Sequence, residues 1–77
     1  MNIHGLRLFY HVARDRSFTK AAELLRISQP AVSSQIKQFE KELGIPLFIK
    51  YGRKLKLTEF GSFWQNKQKY YFPMNRN

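Results

Sequence analysis

Ser28-Gln29-Pro30-Ala31-Val32-Ser33, inside the longer run from Ser17 to Arg53, decides the fold of this chain. Ser28 is a strong helix N-cap, and Pro30 falls in the first turn of the helix it opens, where a missing N–H leaves no bond unmade. The helix reads on to Leu43; Gly44 supplies a left-handed stop and Pro46 prevents continuation. At about 100° per residue two faces separate. Val32, Ile36, Phe39 and Leu43 fall on one side. Pro30, Ser34, Lys37 and Lys41 fall on the other, with Gln29 and Ser33 beside them near the N-terminus. This second strip is uncharged at its leading end and basic behind, and Glu40 and Glu42 are displaced from its centre. A solvated face of an amphipathic helix is the competing reading. Gln, Ser and Lys address base edges and phosphates, and no carboxylate interrupts the strip, which favours a groove-reading surface.

Upstream, Ile3, Leu6, Tyr10 and Ala13 recur at helical spacing, with Phe9 and Val12 widening the stripe, and predict a first helix from about Asn2 to Arg14. Asp15-Arg16 makes a turn. Ser17 caps a second helix from about Phe18 to Arg26 that buries Phe18, Ala21, Ala22 and Leu25. The Ala21-Ala22 pair lets another helix cross closely, or serves helix propensity alone. Ile27-Ser28 is the turn into the third helix.

Downstream, Leu47-Phe48-Ile49-Lys50 and Leu55-Lys56-Leu57 read as the arms of a short β-hairpin with Gly52 in its turn. An isolated hairpin is marginal in water, so it must pack on the helices through Leu47, Phe48, Leu55 and Leu57. Lys50, Arg53, Lys54 and Lys56 cluster near the tip with no acid close by, the pattern of a surface that straddles a phosphate backbone. Thr58-Glu59 starts a fourth helix, with Thr58 as its cap. A small-residue helix, a capped two-faced helix and a basic hairpin, in that order, are the parts needed to lay one helix in the major groove of DNA.

The bulk properties agree. A chain of 77 residues makes one domain. At that size only about 60% of the unfolded chain's surface is buried, so stability is marginal. Cysteine is absent, which leaves packing or an oligomer to supply stability and fits a reducing compartment. The formal net charge of +9, from 14 Lys+Arg against 5 Asp+Glu, calls for a polyanionic partner, nucleic acid or an anionic membrane. The basic residues do not back one apolar face, which argues against a membrane surface. No apolar run approaches the ~18 residues of a membrane span, and Arg7, His11 and Arg14 interrupt any signal-peptide core; the expected location is the cytoplasm, at the nucleoid. His4 and His11 lie about two helical turns apart, too far to share a metal ion. No serine–histidine–carboxylate pattern or glycine-rich phosphate loop occurs, so neither an enzyme nor a cofactor is expected.

The chain resembles the DNA-binding domain of LysR-type bacterial transcriptional regulators. The matching residues are Leu6, Phe9 and Ala13, then Ser17-Phe18-Thr19, Ala21-Ala22 and Leu24. They continue through Ser28-Gln29-Pro30-Ala31-Val32-Ser33, Gln35-Ile36, Leu43-Gly44, Pro46-Leu47-Phe48, Gly52-Arg53, Leu57-Thr58 and Gly61. The resemblance implies a mainly α, winged helix-turn-helix fold: a three-helix core, a short β-hairpin wing and the start of a linker helix. It places the DNA-binding domain at residues 1–58, with the helix-turn-helix at about 18–37 and the wing at about 47–57, and a truncated linker helix and tail at 59–77.

The resemblance also implies roles. Gln29, Pro30 and Ser33 would read bases, with Ser34 and Lys37 as neighbours; Thr19 and Ser28 would hold phosphate, and Arg53 matches the wing arginine, beside Lys50, Lys54 and Lys56. Ser34 and Lys50 stand where relatives often carry arginine. Family members bind double-stranded DNA as a dimer or as a dimer of dimers, so Phe60, Phe63, Trp64 and Tyr71, at helical spacing in the linker position, would form a homodimer contact. An aromatic stripe folding back on its own domain is the alternative. Family members also continue into an effector-binding domain, whereas this chain stops at Asn77, so no small-molecule effector is expected. A module that pairs with full-length relatives, or a non-functional remnant, are the competing readings.

Overall fold

Among the described residues, three of the four helices start where a side-chain hydroxyl accepts an otherwise orphaned backbone N–H. The computed structural model describes residues 3–67 and Tyr70, and among these the order is α1 (Ile3–Asp15), α2 (Phe18–Leu25), α3 (Gln29–Leu43), β1 (Phe48–Tyr51), β2 (Lys54–Leu57) and α4 (Glu59–Asn66). Ser17 Oγ accepts the N–H of Lys20 at 3.0 Å, Ser28 Oγ that of Ala31 at 3.1 Å, and Thr58 Oγ1 that of Gly61 at 3.0 Å. Each bond satisfies a donor that the first turn leaves without a helical partner. Gly44 ends α3 at φ 77°, the left-handed stop expected of it.

Two other stops fall on arginines. α2 ends at Leu25, one residue before the expected boundary, because Arg26 takes φ 59° and its N–H turns back to the carbonyls of Ala22 and Glu23. α1 runs one residue further than expected, to Asp15. Arg16 then adopts φ 53°, and its guanidinium donates to the carbonyl of Ala13.

The core is made by three helices and one loop residue. α1 contributes Leu6, Leu8, Phe9, Tyr10, Val12 and Ala13; α2 contributes Ala21 and Ala22; α3 contributes Val32, Ile36 and Phe39; and Leu47 enters from the loop before β1. Ile3, expected in the α1 stripe, is 59% exposed, and Leu8 is buried in its place. Phe18, Leu25 and Leu43 are only partly buried at the edges of this cluster. Ala21 and Ala22 are both buried on α2, which packs on α1 and α3, as close helix packing requires.

β1 and β2 pair antiparallel with Phe48 opposite Leu57, Ile49 opposite Lys56, Lys50 opposite Leu55 and Tyr51 opposite Lys54. The connecting turn is Gly52-Arg53, with Gly52 at φ 60° as a two-residue hairpin with glycine first requires. Phe48 fastens the hairpin to the helices: its ring lies 5.5 Å from that of Phe9 and 5.8 Å from that of Phe18. The fold is the expected mainly α, winged helix-turn-helix arrangement.

His11 is part-buried on α1, with its Nδ1 enclosed and without a hydrogen-bond partner. Its pKa lies below the ordinary 6.5, first because burial penalises the charged ring and then because Arg14 and Arg7 repel it; Asp15 opposes them. On acidification the unfolded chain takes the proton first. The His11 contribution to stability is therefore full above its unfolded pKa and lost as pH falls through the folded one. Thermal melts between about pH 7.5 and 5.5 should show a smaller loss for His11→Gln than for the wild type. Identical slopes would exclude this residue as a source of acid sensitivity.

Candidate nucleic-acid interface

The residues expected to read bases stand together. Gln29, Pro30, Ser33, Ser34 and Lys37 line one open concavity of about 570 Å³ on α3, joined by Gln38 and Lys41. Ser28 caps α3 and Pro30 falls in its first turn, so the helix that carries these residues starts at Gln29. Gln38 extends the strip one position further round the helix than the sequence reading took it. The same 100° periodicity, followed one step more, would have found it.

Wing residues that are close in sequence divide between two sides. Successive strand residues point to opposite faces, so Lys50 shares its face with Phe48, Leu55 and Leu57. It lines a cleft of about 140 Å³ with Phe18, Ser33, Ile36, Lys37, Glu40, Phe48 and Leu55. Lys54 and Lys56 lie on the opposite face with Ile49 and Tyr51, and Arg53 occupies the turn. Tyr51 is 68% exposed, with Lys56 Nζ 5.3 Å from its ring centre. Its exposure at the wing tip was not anticipated; an aromatic in a basic hairpin was the available signal. Thr19, in the first turn of α2, and Ser28, at the α3 cap, are exposed but do not line the concavity.

Glu40 was missed. Its Oε2 accepts the N–H of Leu47 at 2.7 Å and that of Phe48 at 3.2 Å, so the carboxylate at the flank of the strip faces the wing backbone.

The aromatic residues of α4 also divide. Phe60 and Trp64 pack against the core, with ring centres 6.2 Å apart, while Phe63 is 52% exposed and carries Lys67 Nζ 5.1 Å from its ring centre. Gln65 Nε2 donates to the Ala13 carbonyl at 3.3 Å, which ties α4 to the end of α1. The fold-back reading thus describes Phe60 and Trp64, whereas Phe63 is available to a partner. Tyr71 lies outside the described residues. Among those residues there is no helix long and apolar enough to cross a membrane, and no cluster of three His, Asp or Glu side chains that would hold a metal.

The family model described as bacterial regulatory helix-turn-helix protein, lysR family, matches residues 3–62. The chain belongs to the LysR family. Over 61 residues this LysR-family chain is 52% identical to the HTH-type transcriptional regulator BudR of Klebsiella aerogenes, covering 79% of this chain and 43% of that protein. The chain spans less than half the length of the curated relatives it matches first. A LysR-family transcriptional regulator from Eggerthella lenta superposes with a TM-score of 0.82 at 38% identity, over 90% of this chain and 99% of that one. The BenM DNA-binding domain, solved in complex with catB site 1 DNA, gives a TM-score of 0.79 at 44% identity, over 86% of this chain and 74% of that one. Family and fold are those of LysR-family transcriptional regulators.

Proposed function

We propose that this LysR-family chain binds double-stranded DNA sequence-specifically in bacterial transcription regulation, with α3 in the major groove and the wing on the phosphate backbone. The observation that carries the reading is the α3 concavity, whose seven lining residues include amide, hydroxyl and lysine donors and no carboxylate. Gln29, Ser33 and Ser34 address base edges, with Pro30 shaping the approach and Lys37 reaching bases or the adjacent phosphate. Arg53, Lys54 and Lys56 hold phosphates from the wing, Lys50 does so from the inner cleft, and Thr19 and Ser28 do so from the helix starts. The BenM complex with DNA supports the assignment by analogy.

The same reading makes residues 1–58 the DNA-binding unit and α4 the start of a linker helix. Exposed Phe63 forms the centre of a homodimer contact, and pairing with full-length relatives through the same surface is its corollary. The setting is the cytoplasm, at the nucleoid.

The test is selection of bound duplexes from a random library at one fixed, near-physiological salt concentration. A two-fold symmetric motif, with half-sites about one helical turn or a multiple apart, is the expected product. Failure to enrich any motif, with binding that vanishes steeply as salt rises, would leave a phosphate-held basic domain and refute sequence reading.

The division of labour has its own check. Gln29→Ala should relax preference at one base step, worth about 1–3 kcal/mol of discrimination. Arg53→Ala should weaken all sequences alike and lower the salt slope by about one unit. Equal loss of selectivity from both changes would contradict the assignment.

A further inference from the structure

Among the described residues, the hairpin is joined to α3 by one side chain with directional bonds. Glu40 Oε2 accepts both the Leu47 N–H, at 2.7 Å, and the Phe48 N–H, at 3.2 Å, the two amides at which the chain enters β1. The far end of the hairpin closes on the same point. Thr58 donates its N–H to the Leu47 carbonyl at 3.0 Å and its hydroxyl to the Pro46 carbonyl at 2.9 Å. Entry and exit of the wing are therefore locked together, and that joint is bonded to a carboxylate on α3.

The remaining attachment of the wing is apolar, through Leu47, Phe48, Leu55 and Leu57. Apolar contact is non-directional and does not by itself fix an angle. A carboxylate accepting two N–H groups is both stronger and directional. Glu40 also borders the cleft that holds Lys37 and Lys50, so a negative charge stands beside two cations assigned to phosphate. By charge alone it would weaken DNA binding. The two N–H bonds to the wing give it a second effect of opposite sign.

We propose that Glu40 is a positioning residue for DNA binding: it touches no DNA, and it sets the wing cations relative to α3 by holding the amides of Leu47 and Phe48. This inference rests on the DNA-binding reading above. It differs from a purely structural role because it acts on binding through the wing, and from a purely electrostatic role because the sign is opposite.

The experiment measures affinity for the selected duplex over a salt series for the wild type, Glu40→Ala, Glu40→Asp, Glu40→Gln, Arg53→Ala and the Glu40→Ala/Arg53→Ala double variant. Circular dichroism melts confirm that each is folded at the assay temperature. Glu40→Ala should bind more weakly and lower the salt slope by about one unit, with base preference unchanged. The double variant should lose less than the sum of the two single losses, since both act through the wing, where Lys54 and Lys56 remain. Glu40→Gln keeps the reach and an acceptor oxygen and loses the repelling charge, so it should bind at least as tightly as the wild type. Glu40→Asp keeps the charge, loses the reach and should behave as Glu40→Ala.

Tighter binding by the Ala and Gln variants, with Asp unchanged, would make Glu40 a simple repulsive charge and overturn the proposal. So would additive losses in the double variant, or lowered melting with binding and slope unchanged. If Glu40→Ala does not fold, the Asp–Gln comparison decides alone by the same criteria. Should Arg53→Ala lower the slope while the Glu40 variants do not, only this proposal falls. Should the wild type show no duplex preference, the DNA-binding reading falls with it.

Discussion

Phe39→Ala is expected to destabilise the domain by about 3–5 kcal/mol, the usual cost of emptying a buried aromatic site. For 77 residues the whole stability is roughly 4–12 kcal/mol, so the loss reaches about a quarter of the total or more. The reason lies in the crossing of α1 and α3. A Cβ built on Gly5 would stand 2.7 Å from Phe39 Cδ1 and 2.9 Å from its Cγ, so the α1 backbone rests directly on the ring. Gly5→Ala in the wild type should therefore destabilise, by about 1–3 kcal/mol, as overpacking does. In the Phe39→Ala background the ring is gone. The same change should then be neutral or stabilising by up to about 1 kcal/mol, because alanine favours the helix and fills part of the void. Urea unfolding of the four proteins closes the cycle. An equal cost of Gly5→Ala in both backgrounds would refute the close approach.

That contact also marks where sequence reading stops. Ser17, Ser28, Thr58 and Gly44 act within one turn of themselves, and their roles were legible because the bond partner lies three or four residues away. Arg16 and Arg26 take left-handed conformations without the glycine or asparagine that usually signals one, so the ends of α1 and α2 each differed by a residue. Gly5 had no local signal, since its use is set by a ring 34 positions along the chain.

The candidate site divides the same way. The α3 strip belongs to one helix, so periodicity alone assembled Gln29, Pro30, Ser33, Ser34 and Lys37. Sites built from two elements did not assemble. The wing cations read as one cluster by proximity, whereas period-two alternation sends Lys50 inward with Leu55 and leaves Lys54 and Lys56 outside. Glu40 looked like a displaced acid on a polar helix because its partners, seven and eight residues on, belong to a loop and a strand. Helical spacing placed Phe60, Phe63 and Trp64 in one stripe. The α4 packing then buried two of them partly and left Phe63 exposed.

Lys37→Glu is expected to lower affinity for the selected duplex by about a hundredfold or more, since like-charge juxtaposition at an interface costs several kcal/mol. Lys37 borders both the α3 concavity and the inner cleft that holds Lys50, so one reversal acts on the proposed base-reading and phosphate-facing surfaces together. The neutral variant Lys37→Gln should lose one phosphate contact only, seen as a salt slope lower by about one unit. Raising the salt should narrow the gap between the two variants, because screening weakens repulsion as well as attraction. Lys37 is exposed, so stability should change by no more than about 0.5 kcal/mol, and thermal melts would verify that binding is lost without unfolding. Wild-type affinity in Lys37→Glu would remove α3 from the interface. A carboxylate one turn further on, at Glu40, is already present in the native helix, where two backbone N–H groups occupy one of its oxygens. Whether a glutamate on this helix assists or opposes DNA then depends on the direction its oxygens face, and the two variant series together measure that difference.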